Sequence, residues 1–371
     1  MTNELNVVWW QNSLSIHQAP VIRSMSSFDG VSCTVISAAS LSSLRLAMGW
    51  KVPDYGNAEV DVISDPSALL AVADTLGDAD IHVFSGIGAY PSLDAVRHHI
   101  ASKKQHGKII AMTESWDPRG LKGAARRALL RMRVSPQEPK IDRVLTCGQL
   151  ARQQLLRAGF PSWKLLPYGY FVDRIPITAS PSASATPLLV FVGAFVECKA
   201  VDLLLSALTG LTHLDWDCLL IGSGPLEPRF RAIASRPALN GRVNFAGNLP
   251  NDQVQEILAS GSLLILPSRY DGWGTVVNEA LVNGTPCIVS SNAGSSDLIR
   301  SSLQGEVFLS GSRNGLENCI RNQLDHRVNG QDSRPLMCWC DAHISSIAVA
   351  SYLKRIFSSD KVGEIDPPWK C

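Results

Sequence analysis

The sequence of 371 residues lacks the features that mark several classes of protein. It contains no uninterrupted apolar run of about 18 residues, which argues against a transmembrane helix. Residues 1–10 show no basic segment followed by an apolar one, so a secretory signal is not expected. The formal net charge is only +1, whereas a nucleic-acid-binding domain normally carries a strongly basic face. We therefore expect a cytoplasmic protein, soluble or peripheral to a membrane, that does not bind nucleic acid.

Paired cysteines are also lacking. The nine cysteines are odd in number and scattered, without CxxC spacing, so neither a disulfide framework nor a structural zinc site is expected. Cys338, Cys340 and His343 lie close together in the sequence, but their spacing matches no common zinc pattern. We interpret them as the start of a buried helix, and we expect a reducing compartment and no bound metal.

What the sequence does contain is a repeated alternation of short apolar runs with amphipathic stretches. This pattern is typical of βα units and a parallel sheet. It occurs twice, in a chain longer than one hydrophobic core usually serves, and so predicts an α/β protein of two domains. The predicted strands cover residues 6–10, 31–37, 81–85, 108–113 and 143–147, with weaker candidates near Val60 and Leu165, and then residues 188–193, 218–222, 243–247, 263–267 and 287–290.

The composition changes sharply between the two halves. Residues 175–187 read IPITASPSASATP, without charge and with little to bury, which is typical of a linker. We therefore expect an N-terminal domain over residues 1–174 and a C-terminal domain over 188–340. The amphipathic pattern of residues 341–357 predicts a late helix in the remaining segment, 341–371.

The segment after the predicted strand 263–267 combines glycine with two acids. Ligands of open parallel sheets bind beyond the carboxyl ends of the strands. Gly272 and Gly274 let the backbone approach a ligand, and the helix that follows can hold an anion such as diphosphate at its amino terminus. Asp271 and Glu279 can then face one elongated ligand. The alternative is a glycine-rich turn with Glu279 as a solvated helix residue.

This segment resembles the acid-x7-acid motif of family 4 glycosyltransferases, which usually has Glu in both places and Gly-Phe-Gly after the first. Here Asp271 and Gly272-Trp273-Gly274 are conservative departures. The resemblance implies that Asp271 and the loop amides hold the donor sugar and that Glu279 holds the ribose hydroxyls. The donor site would also include Thr275 and Val276.

A second match opens the C-terminal half, at LVFVGAFVECKAVD over residues 189–202. It resembles the strand and loop in which the family has Gly-Arg-Leu, followed by Lys-Gly. Gly193 and Lys199 fall on this pattern, and Lys199 would bind the diphosphate. Ala194 replaces the usual arginine, and Arg269 is the substitute that we consider. Leu249 and Asn251 lie in a segment resembling the one that frames the nucleobase.

The resemblance covers about residues 188–300 and implies the GT-B fold, two Rossmann-like domains facing each other across a cleft. It implies a retaining, metal-independent transferase without a cofactor, which moves a sugar from a nucleotide diphosphate donor to a glycan or glycolipid hydroxyl in bacterial-type polysaccharide or glycoconjugate synthesis. The segment 341–371 would return to the first domain. Asp-x-Asp patterns at residues 78–80 and 215–217 precede their strands, on the edge away from the expected ligand.

The N-terminal half offers candidates for the acceptor and phosphate side. His17 follows the first strand and could donate to a phosphate or an acceptor hydroxyl, although a lone histidine is often structural. Glu114 stands where many family members have histidine, and a carboxylate there can orient or deprotonate the acceptor. Asp117 is a further candidate. The alternative for Glu114 and Asp117 is helix capping.

Residues 118–137 combine six arginines and lysines with apolar residues at helical spacing and contain no acidic residue. This pattern fits a basic amphipathic helix on an anionic membrane surface, or an ordinary helix that packs its apolar stripe on the sheet. Two other functions also remain open. One is a GT-B nucleotide-sugar epimerase, and the other is a non-catalytic subunit that binds a nucleotide sugar.

Overall fold

The computed structural model describes residues 4–41, 51–174, 186–327, 332–359 and 365–370. Most of the predicted linker, residues 175–185, lies outside the described residues. The remainder forms two parallel sheets flanked by helices, and the predicted α/β class with two such domains is confirmed.

The N-terminal domain is built on a seven-stranded parallel sheet in the order β3-β2-β1-β4-β5-β6-β7. Its strands are β1 (Leu5–Gln11), β2 (Val31–Ser37), β3 (Glu59–Val62), β4 (Ile81–Ser85), β5 (Lys108–Glu114), β6 (Arg143–Cys147) and β7 (Leu165–Tyr168). Its helices are α1 (Ala19–Ser26), α2 (Pro66–Thr75), α3 (Pro91–Ala101), α4 (Gly120–Leu129) and α5 (Gly148–Arg157).

The C-terminal domain has a six-stranded parallel sheet in the order β10-β9-β8-β11-β12-β13. Its strands are β8 (Leu188–Val192), β9 (Asp217–Ile221), β10 (Val243–Gly247), β11 (Leu263–Leu266), β12 (Cys287–Ser290) and β13 (Gly305–Phe308). Its helices are α6 (Val201–Leu208), α7 (Glu227–Ala234), α8 (Asn251–Ser260), α9 (Val276–Val282) and α10 (Arg313–Arg327), followed by α11 (Arg334–His343) and α12 (Ser346–Ser358).

The strands form where the sequence has short apolar runs, because central strands of a parallel sheet are covered by helices on both faces. All five residues of β4 and all four of β11 and β12 are buried. Every predicted strand is present, with bounds that differ by a residue or so. The edge strand β13 was not predicted, since its four residues include Glu306 and the exposed Val307, and no apolar run marks it.

The predicted late helix over residues 341–357 is wrong in its bounds, because the structure has two helices there, α11 and α12. The break falls at Ser345, whose hydroxyl accepts a hydrogen bond from the amide of Ala348 at 3.3 Å and caps α12. The serine oxygen takes the place of the backbone carbonyl to which this amide would bond if one helix continued through the break. The helix α12 packs against α1 of the first domain, where the Ser24 and Ser346 hydroxyls lie 2.7 Å apart.

Cys338 lies in the middle of α11, and Cys340 and His343 lie in its last turn, so their interpretation as a helix start is wrong. Cys338 is exposed and Cys340 is buried. The ring of His343 hydrogen-bonds through Nδ1 to the carbonyl of Pro368 at 2.7 Å. Cys338, Cys340 and the six other cysteines of the described residues are free thiols.

One stretch of the described residues, Arg334–Ser358, has the length and apolar composition of a membrane-spanning helix. It comprises α11 and α12 and is interrupted at Ile344 and Ser345. In α12 the apolar face is buried, including Val349 and Leu353. Helices of a protein core meet the same criteria, so composition alone is weak ground for a membrane span.

Candidate active site

A cavity of about 460 Å³ lies between the carboxyl ends of the two sheets. Its N-terminal wall is formed by the loop after β1, by Tyr90 after β4, by Glu114 at the end of β5 and by Tyr170 after β7. Its C-terminal wall includes predicted donor-site residues, which are Gly193, Lys199, Leu249, Asn251, Asp271, Trp273, Gly274, Thr275, Val276 and Glu279. Loops at the carboxyl ends of parallel strands form this cavity, as expected for an open α/β sheet.

Lys199 and Asp271 meet in this wall. The Lys199 ammonium lies 2.6 Å from Oδ2 of Asp271. The lysine follows β8 in a short turn, and the aspartate follows β11, the neighbouring strand in the sheet. A cation and a carboxylate thus stand side by side, where one can contact an anion and the other can accept from hydroxyl groups.

Glu279 lies inside the wall with only 6% of the residue exposed, so the alternative of a solvated helix residue is wrong. Its Oε1 accepts a hydrogen bond from Nδ2 of Asn251 at 3.2 Å. Burial raises the pKa of the Glu279 carboxyl to about 7, and the bond from Asn251 offsets part of that rise. A carboxylate so poorly solvated gains strongly from any hydroxyl that donates to it.

Glu114 reaches across the cleft from the first domain to the donor loop. A Cβ at Gly272 would overlap the carboxylate of Glu114 in its present position, so glycine there permits the close approach. Desolvation raises the pKa of Glu114, and nearby Asp271 raises it further, whereas a hydrogen bond with Tyr170 and the charge of Lys199 lower it. The carboxyl is therefore held in a less ionised state than in water, while its residue remains exposed to the cleft.

Trp273 joins the donor loop to the first domain. It is 2% exposed, and its Nε1 donates to Oδ1 of Asn278 at 2.8 Å. The ring packs on Gly169, where a side chain would overlap it, and lies 6.1 Å from the ring of Phe171. Part of this tryptophan borders the cavity, but most of it fills the seam between the domains.

A hydrogen bond crosses the cleft beside these residues. The hydroxyl of Tyr270 donates to the carbonyl of Ser115, the residue that follows Glu114. Burial raises the pKa of Tyr270 to about 12, so this phenol remains a donor at any ordinary pH.

Arg269 is not available as the substitute for the missing arginine at position 194. Its guanidinium binds both carboxylate oxygens of Asp202, at 2.7 and 2.9 Å, and the carbonyl of Glu197 at 2.8 Å. Asp202 lies in the first turn of α6 and holds the arginine outside the cavity lining. The expectation for Arg269 is therefore wrong.

Asp117 also lies outside the cavity lining. Its carboxylate pairs with the guanidinium of Arg119, at 2.9 and 2.8 Å, and this pairing lowers the pKa of Asp117. The side chain caps no helix, but it accepts from the amide of Arg119 at 3.1 Å.

His17 does line the cavity, with its ring 6.2 Å from that of Tyr170. Sequence reasoning missed Tyr90, Tyr170 and several polar residues of the same wall. Each follows the carboxyl end of a strand, so position relative to the strands is the signal that could have found them. The polar residues are Asn12, Ser13, Ser15 and Gln18.

Within the described ranges, no group of three or more His, Cys, Asp or Glu side chains could hold a metal ion. The first Asp-x-Asp pattern lies at the amino edge of its sheet, where Oδ2 of Asp80 accepts from the amide of Asn6 at 2.8 Å. Neither this pattern nor the second, at residues 215–217, borders the cavity.

Comparison with known proteins finds a family for part of the chain. Residues 177–331 match the family described as Glycosyl transferases group 1. A stretch of 123 residues is 28% identical to alpha-D-kanosaminyltransferase of Streptomyces kanamyceticus and covers 33% of this chain and 32% of that protein. Another of 152 residues is 27% identical to N-acetyl-alpha-D-glucosaminyl L-malate synthase of Bacillus anthracis and covers 40% and 39%. These matches thus span well under half of either relative.

Solved structures show the fold of the whole described chain. HepE of Anabaena, in complex with UDP and glucose, superposes with a TM-score of 0.70 at 14% identity, over 95% of this chain and 99% of that one. The lipopolysaccharide outer core galactosyltransferase WaaB superposes with a TM-score of 0.67 at 16% identity, over 95% and 99%. The two facing domains are therefore a GT-B fold.

Proposed function

We propose that this protein is a retaining glycosyltransferase of family 4, which transfers a sugar from a nucleotide diphosphate donor to a hydroxyl of a glycan or glycolipid. One observation carries the proposal. The Lys199–Asp271 pair and the buried Glu279 share one wall of the cavity, and Glu114 faces them from the other domain.

The donor would lie along the C-terminal wall. Glu279 accepts from the ribose hydroxyls, and Leu249 and Asn251 lie beside the base. Lys199 contacts the diphosphate together with the amino terminus of α9, at Thr275 and Val276. Asp271 and the loop around Gly274 hold the donor sugar. UDP-sugars are the first donors to test, because HepE was solved with UDP.

In the transfer step, the bond between the anomeric carbon and the diphosphate oxygen breaks, and both of its electrons leave with the diphosphate. Lys199 stabilises the charge that develops on this leaving group. The acceptor oxygen bonds to the anomeric carbon on the same face, and its proton passes to Glu114. Desolvation raises the pKa of Glu114, which makes this carboxylate a stronger proton acceptor than one in water. No step requires a metal ion or a cofactor.

Release of nucleoside diphosphate from UDP-, GDP- and ADP-sugars, with and without acceptor sugars, tests this function. We expect acceptor-dependent release from one donor class, with activity retained in excess EDTA. Interconversion of the donor into its epimer would instead identify an epimerase, and binding without turnover would identify a nucleotide-sugar-binding subunit. Loss of turnover in EDTA, restored by Mg²⁺ or Mn²⁺, would contradict metal independence.

The helix α4 supports a second part of the proposal, a place at the inner face of the cytoplasmic membrane. In the stretch 118–137, Leu130 and Val134 are buried, but three other apolar residues are not packed on the sheet. Leu121 is 91% exposed, Leu129 43% and Met132 73%. Arg126 and Arg127 are exposed on the same helix and bond to carbonyls of residues 117 and 118. Exposed apolar side chains beside arginines fit an anionic leaflet.

Flotation with lipid vesicles tests the membrane surface. We expect recovery with anionic vesicles that falls as salt increases, because each basic residue near the surface contributes about 1 kcal/mol and is screened by ions. Replacing Arg126, Arg127 and Arg131 with glutamine should reduce it. The matched control replaces Arg229, Arg231 and Arg236 of the C-terminal domain with glutamine. Arg229 and Arg236 are also exposed. Equal recovery with neutral vesicles would contradict this part of the proposal.

A further inference from the structure

The N-terminal wall of the cavity is polar but carries little charge. It presents the side chains of Asn12, Ser13, Ser15 and Gln18, together with aromatic rings, and its one acid is Glu114. Among the described residues that line the cavity, Lys199 is the sole lysine or arginine, and it lies on the opposite wall against Asp271. This wall offers hydroxyl and amide groups and the ring of His17 to a ligand, and none of its described residues is a lysine or arginine.

Arg23, a basic side chain of the N-terminal domain near this wall, is held in ion pairs. Arg23 pairs with Asp173 at 2.7 Å and with Asp54 at 3.5 Å. It borders a separate groove with Lys51, beyond Asn251. A carboxylate or phosphate placed beside Glu114 would therefore lose water and face a like charge, with no described lysine or arginine of this wall to pair with it, which is costly in a partly desolvated site.

Gln18 is held in one orientation by its neighbours. It is 6% exposed, and its Oε1 accepts from Nε2 of Gln11 at 2.8 Å. Oε1 of Gln11 accepts in turn from the hydroxyl of Tyr55 at 2.9 Å. This chain of bonds uses the oxygen end of the Gln18 amide, so its NH₂ group is the end left to donate to an oxygen of a ligand.

Tyr90 supplies an aromatic surface in the same wall. It lies at the amino-terminal end of α3 and is 37% exposed. Its ring packs on Gly86, where an added Cβ would come within 3.2 Å of Cε2. The main chain thus supports one side of the ring while the residue borders the cavity. An aromatic ring with a few polar groups around it suits a ligand that is apolar on its faces and polar at its edges, as a sugar ring is.

We propose that the acceptor is an uncharged or amino-bearing polyol ring, which packs on Tyr90 and bonds to Gln18, and that rings carrying a carboxylate or phosphate are rejected. This inference rests on the proposed function, since it names the substrate class for the other half of the same cavity. On the acceptor side, Glu114 selects against negatively charged rings, because no described lysine or arginine lies on that wall.

Three acceptors that share one ring test the inference: p-nitrophenyl glucoside, the matching glucosaminide and the matching glucuronide. With the donor held constant, we expect kcat/KM for the neutral and amino acceptors to exceed that for the glucuronide by about tenfold or more, which equals about 1.4 kcal/mol. A glucuronide that reacts as well as the neutral ring would overturn the inference.

Two substitutions sharpen the test. Tyr90→Ala should raise the acceptor KM more than it lowers kcat, whereas Tyr90→Phe should retain most of the affinity because the ring remains. Asn12→Arg adds a cation to the wall and should raise the glucuronide rate relative to the glucosaminide rate. An unchanged ratio in Asn12→Arg, or an equal effect of Tyr90→Ala and Tyr90→Phe, would contradict the proposed wall.

Thermal stabilisation of the wild-type protein by UDP, GDP and ADP separates the two failures. If no nucleotide stabilises the protein and no donor is consumed, the proposed function fails. If a nucleotide binds and its sugar is transferred without regard to the charge of the acceptor, only the acceptor inference fails.

Discussion

Glu279 is a buried acid in the wall of the cavity. Because its buried carboxylate would accept from ribose hydroxyls, Glu279→Ala should weaken nucleoside diphosphate binding by about 1.5 to 3 kcal/mol, the range for a hydrogen bond to a charged group. Isothermal titration calorimetry measures this loss. Glu256→Ala removes an exposed acid from the nearby helix α8 and is the matched control. Equal affinities in wild type and Glu279→Ala would remove Glu279 from the site.

The raised pKa of Glu279, about 7, makes nucleotide binding depend on pH. Hydroxyl donors favour the ionised carboxylate, so affinity should rise as pH increases from about 6 to 8, and binding near pH 7 should release a proton. Calorimetry in two buffers of different ionisation enthalpy measures the release. Glu279→Gln should abolish it, and a release that persists in this variant would assign the proton to another group.

The raised pKa of Glu279 also affects the stability of the fold, which decreases as pH rises, whereas nucleotide affinity increases. A carboxyl whose pKa is higher in the folded than in the unfolded state contributes stability below the unfolded value of 4.5, and this contribution is lost as pH rises through about 7.

Glu114 is the second acid with a testable role. Glu114→Gln keeps a similar shape but cannot accept a proton, so kcat should fall by about 10² or more while nucleotide affinity is kept. Steady-state kinetics and titration together measure this separation. If Glu114→Gln retains full kcat, the residue orients the loop at Gly272 and takes no proton.

For individual residues, the sequence predicted the donor-binding side chains better than the side chains around them. Asp271, Glu279 and Lys199 carry a motif with fixed spacing, and the structure brings them to one cavity. The role expected of Arg269 was wrong because its partner Asp202 lies 67 positions away, and nothing in the local pattern shows their contact.

Among the elements, the donor loop and the seam between domains are linked through Trp273. Gly169→Ala would place a methyl group where the indole ring lies, and overpacking of this kind costs about 1–3 kcal/mol. We expect a lower Tm and a lower kcat. Thermal unfolding and steady-state kinetics test this in two variants, Gly169→Ala and the double variant Gly169→Ala with Trp273→Phe. The smaller ring of the double variant makes room for the methyl group. If the Tm and kcat of the double variant are no higher than those of Gly169→Ala, the contact between Gly169 and Trp273 does not position the donor loop.

Element prediction succeeded where strands were buried on both sides and failed where tertiary contacts decide. The strands β4, β11 and β12 follow from continuous apolar runs. The edge strand β13 exists because it pairs with β12, from Cys287 opposite Gly305 to Ser290 opposite Phe308. Only its two end residues, Gly305 and Phe308, are buried, so it lacks an apolar run that would identify it.

For the whole molecule, alternation of strands and helices predicted two α/β domains, and the resemblance over residues 188–300 predicted how they face each other. The acceptor wall was harder to predict, since its residues come from loops after four separate strands and share no motif. The resemblance, and not the spacing of apolar residues, implied that residues 341–371 return to the first domain. In the structure α12 packs on α1 through side-chain contacts such as that of Ser24 with Ser346.

The most direct test of the central claim is a proton NMR time course of an α-linked nucleotide sugar with the protein and an acceptor. The account predicts that the anomeric signal of the donor decays while an α-anomeric signal of a new glycoside grows at the same rate, in the presence of EDTA. A β-linked product would contradict retention. Conversion of the donor into its epimer, or a donor that binds and stays unchanged with every acceptor, would contradict the assignment as a transferase.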